Sequence, residues 1–380
     1  SLRRARRGAP RRQLLDVICH WPRETETGEQ WWTRRDPSEG RARSFLRKEP
    51  GGIILRYLVS LLILAGISAC QEAAPSVSEV GSGEYQVTST DGVSLEVIEW
   101  GGNGQPLVLL AGGGATAHSF DDFAPLLIDD FRVIGITRRG MGGSSDIPPD
   151  NFEDLLSDIA AVSDALELGS VVLVGHSFAG FEMTRFAERY GDRCSGLVYL
   201  DAAYDYAVSD VGRIYQETPP PATPPMTVDD SLSVPSVQAW YRRTQGFTPA
   251  ESEIRSTGRF DSDGRYLGRS SMTETARRVA SLGRPEVDLD ALTCPSLGLF
   301  PVPGPLEAWH PAYESWNPEE RHRADRWQEA YRFWVEETRD NFERYPENQV
   351  LEFPNAGHMF FLERPKEVTE AIRGFVLGLK

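Results

Sequence analysis

Apolar and polar positions alternate or cluster in short runs from residue 84 to the C-terminus, and the runs sort into strands and amphipathic helices. Glu84–Ser89 and Val93–Glu99 alternate apolar with polar residues on either side of Thr90-Asp91-Gly92, the pattern of a hairpin. Leu107–Leu110, Phe131–Thr137, Val171–Val174, Gly196–Leu200, Pro295–Phe300 and Gln349–Phe353 are short apolar runs, which predict strands buried on both faces. Helical patterns fall between them. Ser119–Ile128 is one, and Phe152–Leu168 repeats apolar residues at 152, 155, 156, 159, 162 and 166. Further helices are predicted over Phe178–Tyr190, over a long charged stretch at about Pro318–Tyr345, and from Pro365 onward. Strands alternating with helices predict an α/β fold with a mostly parallel sheet flanked by helices. Sites in such sheets gather at the carboxyl ends of the strands.

The alternation breaks after Gly196–Leu200. The proline run between Thr218 and Pro225 cannot continue a helix or a central strand. Short helical pieces follow at Val234–Thr244, Pro249–Ser256 and Thr273–Leu282, with an Asp263-Gly264 turn among them. The chain therefore divides into core residues 84–204, an insertion over 205–291 and a second core segment over 292–380.

Residues 1–52 are rich in Arg, Trp and Pro and lack either periodicity, and the first Met of the chain is Met141. They are expected to be a disordered leader or a translated upstream region. Arg56 then precedes an uncharged, mostly apolar run, Tyr57–Ala69, too short to span a bilayer comfortably but suited to the core of a signal peptide over 53–70. Its end, Ile67-Ser68-Ala69-Cys70, resembles the lipobox of bacterial lipoproteins. That resemblance implies lipidation of Cys70 and a place in a bacterial cell envelope, on the periplasmic or outer-membrane face. A plain signal peptide or signal anchor with an incidental cysteine is the alternative. Residues 71–83 would be a flexible tether.

Charge narrows the choice of partners. The net charge is −16, yet residues 1–70 hold 14 Lys/Arg against 7 Asp/Glu, leaving 26 basic and 49 acidic residues beyond them. So acidic a body repels polyphosphate and argues against nucleic acid as a partner.

Candidate chemistry centres on Val171 to Gly180, where an apolar strand runs into Gly175-His176-Ser177 and then into a helix. A serine at so sharp a turn is strained, with its hydroxyl pushed out of the fold. The stretch resembles the nucleophile elbow of the α/β-hydrolase family, with Ala179 where the second glycine of G-x-S-x-G belongs and Gly180 next. The resemblance implies an α/β-hydrolase fold whose insertion is a helical cap. It also implies hydrolysis of a small carboxylic ester through an acyl-enzyme on Ser177, without metal or cofactor. Such a serine needs a base. Of the six histidines, His358 follows the last strand in Pro354-Asn355-Ala356-Gly357-His358, as the family's base does. His118 could touch substrate, although packing against the cap is its simpler role.

The same resemblance assigns the two backbone donors of an oxyanion hole to Phe178, after the serine, and to Gly113 in Ala111-Gly112-Gly113. The acid that orients the histidine is expected after Pro295–Phe300, but that loop offers only Glu307; Asp201, at the preceding strand end, is favoured over it. Cys194 and Cys294 each lie seven residues before a strand end (Asp201 and Pro301) and are either a disulfide or two buried thiols. An amidase or peptidase on the same residues, or an inactive hydrolase-fold scaffold, stays open.

Overall fold

β4 (Pro106–Leu110), β5 (Arg132–Ile136), β6 (Val171–His176) and β7 (Cys194–Leu200) form the centre of a nine-stranded sheet. Before them come β1 (Ser76–Gly81), β2 (Glu84–Thr88) and β3 (Ser94–Gly101); after them come β8 (Gly258–Phe260), β9 (Tyr266–Arg269), β10 (Ser296–Val302) and β11 (Asn348–Pro354). The computed structural model describes residues 74–203, 223–283, 289, 292 and 294–379. Strand order across the sheet is β1-β2-β3-β5-β4-β6-β7-β10-β11. The first three strands pair antiparallel, β3 meets β5 antiparallel, and every pair from β5 to β11 is parallel.

Alternation within each strand sends side chains to two cores, because successive residues point to opposite faces. Leu107, Leu109, Val172, Val174, Val198 and Leu200 pack with Phe120, Phe123, Ile372 and Phe375 on one face. Val108, Leu110, Leu173, Leu197 and Tyr199 pack with Ile159, Phe181, Phe186, Trp334 and Phe342 on the other. Each side chain so buried contributes about 1.5–3 kcal/mol.

The helices among the described residues are α1 (Glu153–Ala165), α2 (Ala179–Arg189), α3 (Val234–Gln245), α4 (Glu251–Thr257), α5 (Glu274–Ser281), α6 (Leu306–Trp309), α7 (Pro318–Glu343), α8 (Phe360–Glu363) and α9 (Pro365–Gly378), of which α1, α2, α7, α8 and α9 cover the two faces of the sheet. Local sequence sets their ends. Asn317 and Glu320 form a reciprocal capping box at the start of α7, with Pro318 at the first position, where its missing N–H costs nothing. Ser233 caps α3, and Thr273 caps α5.

Three expectations differ from the structure. Ser76–Gly81, expected inside the 71–83 tether, is the edge strand β1; its side chains are almost all exposed, so no apolar alternation marked it. Ser119–Ile128 is two short 3-10 turns, Ala117–Phe120 and Ala124–Leu126, in place of a helix. Pro125 explains the break, since it cannot donate to a continuing helix. The insertion is not wholly helical either. Between α4 and α5 the chain forms the antiparallel ribbon β8–β9.

The insertion is fastened to the core by specific bonds. Thr275 N–H donates to Asp146 (3.0 Å) and Thr273 Oγ1 to the Gly140 carbonyl (2.9 Å). Glu253 of α4 accepts from the hydroxyl of Thr116, at 2.5 Å, and from its N–H, at 3.2 Å.

Candidate active site

Ser177 and Asp201 occupy equivalent places on neighbouring strands. His176 of β6 pairs in register with Leu200 of β7, so each residue is the first beyond its strand. Both have left-handed backbones, with φ 53° and 45°. That conformation is strained for a residue with a Cβ and is held here by the sheet. Ser177 N–H donates to the Leu200 carbonyl (3.3 Å) and Asp201 N–H to that of Leu299 (3.0 Å).

The glycine pattern at the elbow follows from close approach. A Cβ on Gly180 would lie 1.9 Å from the carbonyl oxygen of Ala202, so α2 can leave the turn only with glycine there. Ala179, by contrast, already has a Cβ and is fully buried in the core. The indispensable small residue is thus Gly180, one position later than the usual motif puts it.

His358 sits in the loop after β11. Its Nδ1 lies 2.5 Å from Oδ2 of Asp201, and the same oxygen accepts from the Tyr331 hydroxyl at 2.9 Å. Asp201 is buried, and its Oδ1 has no partner among the described residues. Glu307 is exposed on α6; the structure brings Asp201, not Glu307, to His358. Ser177 and His358 line one cavity of about 230 Å³. No hydrogen bond joins their side chains among the described residues.

His176 faces the same corner. Its Nε2–H donates to the His358 carbonyl (3.0 Å), and the two rings lie 4.4 Å apart. Burial, reinforced by the nearby His358, keeps its pKa well below the ordinary range, so the ring stays neutral. Its Nδ1 would lie 2.8 Å from a Cβ on Gly112, which explains glycine at that position.

Gly113 belongs to the loop after β4, and a Cβ there would touch the Phe178 Cβ at 3.7 Å. Neither Gly113 N–H nor Phe178 N–H has an acceptor among the described residues. A buried ion pair braces this loop. Arg138 donates to both oxygens of Glu182 at 2.6 and 2.5 Å and to the Ala111 carbonyl at 2.9 Å, while its guanidinium lies over the Phe178 ring.

Several site residues could not be read from the sequence. Tyr331 falls on the stripe of α7 that also buries Ala324, Gln328 and Thr338, a helical spacing that marks an inward face without naming its partner. Glu253 and Arg269, both from the insertion, also line the cavity. Burial pushes the Glu253 carboxyl up to about 7, against the opposing hydrogen bonds from Thr116 and the charge of Arg269. His118 instead pairs with Asp121 at 2.9 Å, and it is not on the cavity wall. Burial disfavours its charge, but bonds to Asp121 and Glu96 prevail and raise its pKa to about 10. Cys194 and Cys294 are free thiols with their sulfurs 3.2 Å apart. Cys70 lies outside the described residues.

A mostly parallel sheet with a strained serine beyond a central strand and a paired histidine beyond its last defines a hydrolase of the α/β type. The chain belongs to the alpha/beta hydrolase family, whose model matches residues 107–371. A non-heme haloperoxidase of Rhodococcus erythropolis is 35% identical over 107 residues, 28% of this chain and 39% of that protein. A carbendazim hydrolyzing esterase of Nocardioides sp. is 36% identical over 84 residues, 22% of this chain and 35% of that protein. The chain thus matches well under half the length of these relatives. A thermophilic esterase of Thermogutta terrifontis superposes with a TM-score of 0.51 at 25% identity, over 78% of this chain and 99% of that one.

Proposed function

We propose that the protein hydrolyses carboxylic esters through an acyl-enzyme on Ser177, with His358 as base and Asp201 as the acid that orients it. The bond between His358 Nδ1 and Asp201 Oδ2, made beside a strained serine in a shared cavity, carries the reading. Nδ1–H donates to the carboxylate, which leaves Nε2 as the basic nitrogen. Nε2 takes the Ser177 proton as Oγ attacks the ester carbonyl. The developing oxyanion is met by the N–H groups of Gly113 and Phe178. The imidazolium then protonates the departing alkoxide, and a water molecule activated by the same nitrogen cleaves the acyl-serine ester. Serine–histidine bonds are commonly long without substrate, which accommodates the unbonded pair here. The esterase relatives support an ester as substrate.

The test is reaction of the purified protein with a fluorophosphonate probe. Labelling of the wild type that is abolished in Ser177→Ala is expected. An unlabelled wild type would favour the inactive scaffold. Attachment to a bacterial envelope through lipid on Cys70 is a companion proposal that rests on residues 56–70 alone. Metabolic labelling with a radioactive fatty acid should be lost in Cys70→Ala.

A further inference from the structure

We propose that Arg269 is a carboxylate-binding subsite of the Ser177 cavity, so that the preferred ester carries a carboxylate a short spacer from its scissile carbonyl. The proposal rests on the hydrolase reading above. Arg269 is the one Lys or Arg on the cavity wall among the described residues. No ion pair engages it there, whereas Arg243 and Arg255 of the neighbouring helices α3 and α4 pair with Asp230 and Glu251.

Its position is fixed from two sides. Its backbone pairs with Gly258 across the β8–β9 ribbon, and its Nη2 donates to the carbonyl of Gly114. One nitrogen is thereby occupied, and a guanidinium carries five N–H donors in a fork that fits a carboxylate. Much of the remaining wall is apolar, including Phe247, Pro249, Ile254, Met359 and Leu362. A lone cation among such groups selects for an anion.

Glu253 shares the cavity and offsets that charge only in part. Its Oε2 is occupied by both donors of Thr116. Its raised pKa, about 7, also leaves much of the carboxyl neutral near neutral pH. The hold on Gly114 sets the length of the ligand. Gly113 and Gly114 are consecutive, so the bonded guanidinium nitrogen lies within two residues of chain and one hydrogen bond, at most ~10 Å, of the Gly113 N–H. A spacer of about two to four carbons spans that gap.

The test compares kcat/KM of the full chain on charged and neutral esters matched in size. One arm carries the charge on the acyl side, as p-nitrophenyl hemisuccinate and hemiglutarate against the butyrate and pentanoate. The other carries it on the leaving group, as O-acetyl-3-hydroxypropionate against propyl acetate. The charged-to-neutral ratio should fall by about 10-fold in Arg269→Gln in one arm, the size of a charge-assisted bond, and by less in Arg269→Lys. Glutarate should bind Ser177→Ala protein in calorimetry and lose affinity when Arg269→Gln is added, a readout independent of turnover. Ratios unchanged within a factor of two in both arms, together with no Arg269-dependent glutarate binding, overturn the subsite. Retained fluorophosphonate labelling would then leave the hydrolase reading intact, and its absence would remove that reading instead.

Discussion

Nδ1 of His358 lies 2.5 Å from Oδ2 of Asp201, a residue 157 positions earlier in the chain. The two ends of that bond differ in environment: the Asp201 side chain is 1% exposed and that of His358 42%. A buried carboxylate can orient a ring that remains open to a ligand, because only the acid end is withdrawn from water. Asp201→Asn keeps the shape but no longer favours the tautomer with a proton on Nδ1. It should lower kcat by up to ~10⁴-fold, as the loss of such an acid does in serine hydrolases. Glu307→Gln, on the exposed helix α6, should change kcat less than about twofold. Steady-state kinetics on a chromogenic ester rank the two, and the reverse order would transfer the orienting role to Glu307.

Tyr331 donates to the same Asp201 oxygen from α7, at 2.9 Å. Removing that donor leaves more negative charge on Oδ2 for the His358 bond and less restraint on the carboxylate. Tyr331→Phe should therefore lower kcat by about 10-fold, the worth of one bond to a charged group, with little change in KM. The acid limb of the pH–rate profile should also move to higher pH, because the stronger carboxylate favours the imidazolium. A loss of kcat with no movement of the limb would make Tyr331 a packing residue.

The parts of this molecule legible in the sequence are those written over a few adjacent residues. The strand Val171–Val174, the turn at Ser177 and the loop of His358 each depend on local apolar runs and glycines, and a strand-end acid at Asp201 could be set beside them. What escaped notice depends on contacts between distant segments. Tyr331 is an inward residue on a charged helix, and nothing near it names Asp201 as the partner. Arg269 reaches the cavity only because the ribbon folds back over Gly114. β1 carries an edge pattern of exposed residues, which periodicity cannot distinguish from a tether. The turn at Pro125 illustrates the reverse case, in which an apolar stripe looked helical and one missing N–H decided otherwise.

Glu253 makes stability depend on pH. Burial raises its carboxyl from 4.5 to about 7 in the folded state. A raised acid binds its proton more tightly when folded, so its contribution is full below the unfolded pKa and is lost as pH climbs through the folded one. The loss runs from about pH 4.5 to about pH 7 and amounts to about 3 kcal/mol. Glu253→Gln keeps an acceptor for Thr116 and removes the titration. Urea unfolding should find the substitution more stabilising at pH 8 than at pH 5, by about 2–3 kcal/mol. An equal effect at both pH values would show that Glu253 ionises in the fold as freely as in the unfolded chain.

Cys194 and Cys294 lie near the starts of adjacent parallel strands, β7 and β10, with sulfurs 3.2 Å apart and both side chains buried. The hydrogen bond with Cys294, together with burial, pushes the Cys194 thiol up, while the same bond holds the Cys294 thiol below its ordinary range, so Cys294 is the sulfur that reacts first with an oxidant able to reach it. A small azo oxidant such as diamide can accept the two electrons and two protons, becoming the hydrazine as the S–S bond forms. The bond would close a loop of 100 residues around the whole insertion. Restricting the unfolded chain over such a loop stabilises by about 4–5 kcal/mol where the native geometry is unstrained. Diamide-treated protein should therefore lose the mass of two hydrogens, yield a peptide joining the two cysteines on digestion, and unfold at higher urea than the reduced form. Cys194→Ala should abolish all three changes. Two thiols that stay free through the treatment, or a joined pair that unfolds no later, would show that these strands hold the cysteines as packing residues.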